Sequence, residues 1–313
     1  MGAASEAAAT RPEAQAPAKA KKEEDEKQQP PPEQASDWAG GEGDLIDYHT
    51  LNWWQGGIVL IAETVSLGIL ALPSVLATVG LAPGVALILV MSALSTYSGM
   101  VIAEFRAAYP FVQNFGDALE VIGKSIGMGP LFQEVFGWAQ VTFQVFVMAS
   151  HLLTWTICLN TLTDSSTCTI VWAVVGLGVF AVLNFPRTLK HTAWMSMASC
   201  VSITVAVLVT IGDVAYERPI GSKSIEIARE IPLTSAILAV TNIAVSFSSH
   251  SCFFSVIGEF KKPEDFPKAL ALLQVADTTL YLVAAIVIYV CVGPDVPSPA
   301  LSAAASRDVR KAI

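Results

Sequence analysis

The chain has 313 residues, 53% of them hydrophobic and 14% charged, with a mean hydropathy of +0.55. Soluble domains carry about 25% charged residues, so this composition argues against a cytosolic enzyme and against a disordered hub. The net charge of −9 is unevenly spread, because residues 1–52 hold 11 acidic and 5 basic residues and the remainder holds 16 and 13. No basic stripe of the kind a nucleic-acid partner needs is present.

Residues 1–44 read as a disordered cytosolic tail. The stretch is rich in Ala, Glu, Gln and Pro, with Pro30-Pro31-Pro32 and the mixed run Lys21 to Lys27. Trp38 apart, it offers almost no large apolar side chain with which to offset the entropy of ordering. Its first 30 residues also lack the apolar core of a signal peptide.

After Asn52, long apolar runs alternate with short polar breaks, and a bilayer span needs about 20 mostly apolar residues. The pattern predicts seven spans, near 53–79, 82–105, 132–159, 168–185, 191–212, 234–257 and 268–292. Trp53 and Trp54 stand where interfacial aromatic anchors belong. With the N-terminus cytosolic, the inner links carry Arg106, Lys124, Arg187, Lys190, Lys261, Lys262 and Lys268. The outer links then carry Arg218, Lys223 and Arg229. Seven against three favours that orientation. The 106–131 link is too long for a plain turn. Phe111, Phe115, Ala118, Leu119, Ile122 and Ile126 recur at helical spacing opposite Gln113, Asp117, Glu120 and Lys124, which predicts an amphipathic helix on the cytosolic interface.

Four features break the apolar spans. Glu63 falls roughly 15 Å past Trp53, near the midplane, where an ionisable side chain must face protein or water. Thr64, Ser66 and Gly68 follow it, and Pro73 removes a backbone donor further on. Span six carries Ser246-Phe247-Ser248-Ser249-His250-Ser251, too polar for a lipid-facing helix and able to satisfy an unwound backbone. Interrupted helices at matching places in two repeats point to a transporter site. The other two features are single residues, His151 in span three and Asp277 in span seven. With Glu63 and His250 they make up the candidate proton-coupling groups. Five cysteines (Cys158, Cys168, Cys200, Cys252, Cys291) lack metal-type spacing and read as packing residues, with Cys168 in a short loop. No metal site, cofactor or enzyme signature is expected.

The stretch Ala62–Pro73 resembles the first-helix signature of the amino acid/auxin permease family, in the variant of its fungal neutral amino acid permease branch. Phe247–His250 through Glu259–Phe266 is similar to the sixth helix of that family, and Leu280-Tyr281-Leu282 with Tyr289 and Gly293 to its seventh. The resemblance covers about residues 45–305. It implies an all-α integral membrane protein of LeuT-like inverted-repeat fold, incomplete here with seven of about eleven transmembrane helices. It implies secondary, proton-coupled transport of neutral amino acids by alternating access, with no cofactor other than the coupling proton. Carried over, Thr64, Val65, Ser66, Leu67 and Gly68 hold the substrate's α-amino and α-carboxylate groups. Ser246, Phe247, Ser248, Ser249 and His250 complete the cradle. Ser66 and Ser249 stand where the family has glycine, which bears on substrate size. Glu63 is preferred to His250 as proton carrier.

The ending from Ser298 resembles the loop before an eighth helix, so residues 306–313 read as a truncated end, with Arg307, Arg310 and Lys311 beside the break. Partners are an amino acid and the lipid bilayer, the oligomeric state stays open, and the plasma membrane is preferred to the vacuole. One alternative is a non-transporting short chain that associates with a full-length permease. A remoter one is a seven-helix receptor, which requires an outer N-terminus. An epitope at the N-terminus should resist protease on intact cells and be cut after permeabilisation; cutting on intact cells would reverse the predicted orientation.

Overall fold

The computed structural model describes residues 49–183, 189–217, 225–298 and 300, without the side chains of Ser66, Leu67 and 189–192. The expected tail at 1–44 and end at 306–313 lie outside the described residues. The helices in chain order are α1 (Trp53–Val79), α2 (Leu81–Ala108), α3 (Phe115–Lys124), α4 (Gly129–Leu162), α5 (Thr169–Leu183), α6 (Leu189–Glu217), α7 (Leu233–Ser246), α8 (His250–Gly258) and α9 (Phe266–Val292). Short 3-10 turns, Pro263–Asp265 and Gly293–Asp295, flank α9. Among the described residues there is no strand, and one parallel bridge joins Leu51 to Phe260.

Five stretches are long and apolar enough to cross a membrane: Leu81–Ala108, Gly129–Leu162, Ala193–Glu217, Leu233–Gly258 and Pro263–Asp295. Helix α1 makes a sixth when its halves, Trp53–Val65 and Gly68–Val79, are taken as one span bent by 47°. The remaining expected span, 168–185, holds the apolar helix α5, described over 15 residues, with residues 184–188 outside the described residues. The expected amphipathic link resolves into α3. It is capped by Asn114, whose side-chain oxygen accepts from the Asp117 amide at 3.0 Å, and carries a Glu120–Lys124 ion pair at 3.0 Å.

The core lies where α9 packs on α1. On α9, Phe266, Ala269, Leu270, Leu273, Asp277, Tyr281, Ala284 and Ile288 are buried, a stripe at three- and four-residue steps. Leu60, Ile61, Val65, Ile69, Leu72 and Leu76 of α1 join it in one apolar cluster. By contrast α4 and α5 leave large apolar side chains such as Trp138, Phe146, Met148, Val174 and Leu177 uncovered. In lipid such a surface needs no protein cover, because acyl chains are as apolar as leucine.

Two backbone ties fix the ends of α1. At its start, the Leu51 amide donates to Glu259 O at 3.0 Å and the Lys261 amide to Leu51 O at 2.9 Å, joining α1 to the end of α8. At its other end the segment 226–229 lies across the α1–α2 junction. Leu81 N donates to Glu226 O (3.1 Å), Ala82 N to Ile227 O (2.9 Å) and Arg229 N to Val79 O (3.3 Å). Gly80 makes this approach possible. Its φ of +93° and ψ of 164° belong to a region open essentially to glycine alone. A Cβ there would stand 2.7 Å from the Cα of Ala228. Gly80→Ala should therefore cost about 1–3 kcal/mol, read as a lowered thermal unfolding midpoint in detergent with helix content unchanged before the transition.

Candidate functional site

The bend in α1 and the gap Phe247–Ser249 between α7 and α8 lie side by side, and the hydroxyl of Tyr281 from α9 sits where they meet. Tyr281 is fully buried. Its hydroxyl oxygen is 2.7 Å from Thr64 O and 2.9 Å from Ser246 O. One phenolic proton is thus shared between a carbonyl of each helix, beside the point where each departs from regular form. Nearby hydroxyls serve mainly their own helices: Thr64 Oγ1 donates to Leu60 O at 2.6 Å, and Ser246 Oγ to Asn242 O at 2.8 Å, with a longer contact across to Gly68 O at 3.4 Å. Gly68 completes the crossing, since a Cβ there would lie 2.6 Å from the Tyr281 hydroxyl and 2.9 Å from Ser246 Cβ.

Beside the crossing opens a cavity of ≈ 390 Å³, within the size range of small-molecule sites. Helix α1 contributes Glu63, Thr64 and Gly68 to its wall, α7 contributes Asn242 and Ser246, and the interruption adds Ser248 and Ser249. Helix α4 closes the far side with Phe143, Gln144, Val147, Ser150, His151 and Thr154. Glu63 is exposed and stands on this wall. Among the described residues lining the cavity, Glu63 and His151 are the ionisable ones and there is no Lys or Arg. No group of three or more His, Cys, Asp or Glu among the described residues is arranged for a metal ion.

The structure thus brings Thr64, Gly68, Ser246, Ser248, Ser249, Glu63 and His151 to one cavity. Other expected site residues stand elsewhere. Val65 is buried in the core. Phe247 is buried with its ring 5.2 Å from that of Tyr281. The His250 ring turns to α2, with Nε2 at 2.8 Å from Ser98 Oγ and 3.1 Å from Ser95 O, and Nδ1 at 3.2 Å from Phe247 O. It belongs to a polar seam that continues through Gln274 Nε2, which donates to Ser95 Oγ at 2.8 Å. Asp277 lies behind α1, fully buried. The side chains of Ser66 and Leu67 are outside the described residues. Composition-based reading missed Tyr281 as the strut, and missed Asn242 and Gln144. The latter two had a signal: Asn242 stands one turn before Ser246, and Gln144 two turns before His151, on the faces that line the cavity.

A second side chain ties the site to the amphipathic helix. Gln140 of α4 accepts from the Phe115 amide at 3.2 Å and donates to Ser251 O at 3.1 Å. It bridges the start of α3 to the start of α8.

A family model described as "Transmembrane amino acid transporter protein" matches residues 49–313. The chain is 30% identical over 266 residues to the "N amino acid transport system protein" of Neurospora crassa, which covers 82% of this chain and 56% of that protein. It is 25% identical to a "Transmembrane transporter" of Gibberella moniliformis, with 83% and 56% covered, and 24% identical to one of Fusarium pseudograminearum, with 83% and 56% covered. The chain therefore spans about half the length of the curated relatives it matches. No solved structure matches it.

Tyr281→Phe deletes one hydroxyl and leaves two buried carbonyls short of a donor, so it should destabilise the fold by about 1–3 kcal/mol. The thermal midpoint in detergent should fall, with helical circular dichroism retained at low temperature.

Proposed function

The chain belongs to the family of transmembrane amino acid transporter proteins, and on that premise we propose that the cavity between α1, α4 and the α7–α8 interruption binds an amino acid for transport. The observation that carries the reading is the meeting of two non-ideal helices at one small cavity. A span that loses its regular ladder exposes N–H groups from one half and C=O groups from the other, and these hold a carboxylate and an ammonium group respectively. In this reading Thr64 and Gly68 from α1, with Ser246, Ser248 and Ser249 from the interruption, contact the ammonium and carboxylate ends of the substrate. His250 acts from behind them, on α2.

The preference for neutral amino acids rests on charge. A zwitterion satisfies a wall with one carboxylate, one imidazole and many hydroxyls. An acidic side chain meets no Lys or Arg among the described lining residues, and leaving such a charge uncompensated is costly. The coupling ion is the proton in this reading, since titratable groups stand on the wall (Glu63, His151) and behind it (Asp277). Alternating access follows from a LeuT-like arrangement in which the helices holding the breaks rock against the rest. The N-terminus is cytosolic and the membrane is the plasma membrane. Backbone ties support α1 running opposite to the α7–α8 unit: the start of α1 meets the end of α8, and the far end of α1 meets the link before α7.

Cells expressing the protein should take up a labelled neutral amino acid, faster at acid external pH, and a protonophore should stop that uptake. Ser248→Phe, which fills the cavity from the interruption, should abolish uptake without loss of membrane expression. Absence of uptake by a well-expressed protein overturns the transport reading, and uptake indifferent to the proton gradient overturns the coupling.

A further inference from the structure

Asp277 is the buried acid that the cavity does not explain. It sits on α9 one turn before Tyr281, with no solvent exposure. Both of its carboxyl oxygens are covered and neither holds a hydrogen bond. From α1 the Thr64 hydroxyl comes within reach of the Asp277 carboxyl, close enough to favour the carboxylate when it turns to donate but not aligned as a hydrogen bond in this arrangement, and Thr64 also lines the cavity. The single hydroxyl proton of Thr64 is already given to Leu60 O at 2.6 Å, so Thr64 presents only lone pairs to Asp277. A carboxylic acid can donate to those lone pairs. A carboxylate can be served by Thr64 only if the hydroxyl turns round and releases Leu60 O. The two protonation states therefore demand two hydrogen-bond arrangements on α1, immediately before its bend.

The rest of the surroundings leaves this exchange undisturbed. Helix α6 brings Cys200 towards Asp277, and Tyr281 faces it from the same helix. Helix α2 presents hydroxyls already engaged, Ser92 with Thr278 and Ser95 with Gln274. Glu63 points to the cavity side of α1, where its charge acts on Cys252 of α8. The acidic residues of the flanking 3-10 turns, Glu264, Asp265 and Asp295, are three or more helical turns away along α9. Among the described residues no Lys, Arg or His acts on Asp277. Glu63, by contrast, lines the cavity itself.

We propose that Asp277 is where this protein takes up and releases its proton, and that Thr64 passes the change to the amino acid cavity by switching its hydrogen bond to and from Leu60. This rests on the transport reading above and assigns its coupling site, displacing Glu63 from that role. Atoms balance simply: the carboxylate gains one proton from water and forms O–H, the new O–H donates to Thr64 Oγ1, and deprotonation reverses both steps.

Infrared difference spectra of the purified, substrate-free chain, about pH 6 minus about pH 10, leave ordinary carboxylates ionised at both ends and so test the site without reference to transport. A protonated-carboxyl band is expected in the native chain and in Glu63→Gln, absent in Asp277→Asn, and displaced in Thr64→Val, which keeps the shape and removes the acceptor. A band that survives in Asp277→Asn overturns the assignment. If Asp277→Asn does not fold, Thr64→Val decides, and an unmoved band there overturns it. In a second arm, binding of a labelled neutral amino acid to the native chain should change with pH by about 5- to 150-fold, the usual span of coupling between two sites. Asp277→Asn should bind with pH-independent affinity and Asp277→Glu should restore the dependence. Native pH dependence in Asp277→Asn sinks the proposal, whereas failure of every version to bind any amino acid sinks the transport reading and leaves the infrared result to locate the proton.

Discussion

In the hydrocarbon region there is no water to satisfy a backbone carbonyl, so a helix can depart from regular form only where another group takes over. Here that group is the Tyr281 hydroxyl, held between Thr64 O and Ser246 O. Everything local to the site depends on it. The bend of α1 and the end of α7 are held at one point because a single donor serves both. Gly68 must lack a side chain because that donor and Ser246 occupy the space. The cavity opens beside the strut, on the side where Thr64 and Ser246 turn away from it. Tyr281 is in turn fixed by the α9 stripe that packs on α1, so an apolar contact positions a polar junction.

The ends of α1 are tied as firmly as its middle. The paired bonds between Leu51 and residues 259 and 261 fix the start, and the strand-like approach of 226–229 to Gly80 fixes the finish. Helix α1 is therefore held at both ends to elements that flank the α7–α8 unit in sequence. Any tilt of one carries the other, so the two interrupted spans behave mechanically as a pair. Helix α4 faces this pair across the cavity, tied to α8 by Gln140, and α5 packs on α4 around Trp155.

The sequence made the elements legible and the orientations of single side chains illegible. Apolar runs of 20 residues or more announce spans through composition alone, and the stretch Ser246–Ser251 announced an interruption because serines can replace lost backbone partners. The direction in which a residue faces depends on its rotation about the helix axis, which a one-residue change in the break resets by about 100°. His250 stands next to Ser249, which lines the cavity, and yet its ring contacts Ser95 and Ser98 on α2. Tyr281 read as one more aromatic in an apolar span, since its role depends on two carbonyls more than 30 and 200 positions distant. The stripe Gln144–His151 was legible in principle, because its spacing is helical and local.

Gln140 carries a consequence of its own. Its amide group holds the first amide of α3 with one end and a carbonyl at the first turn of α8 with the other. A planar amide cannot stretch, so α3 and α8 must travel together or one of the two bonds must break. A displacement of α3 is thereby delivered, through one side chain, to the backbone at Ser251, on the wall of the cavity.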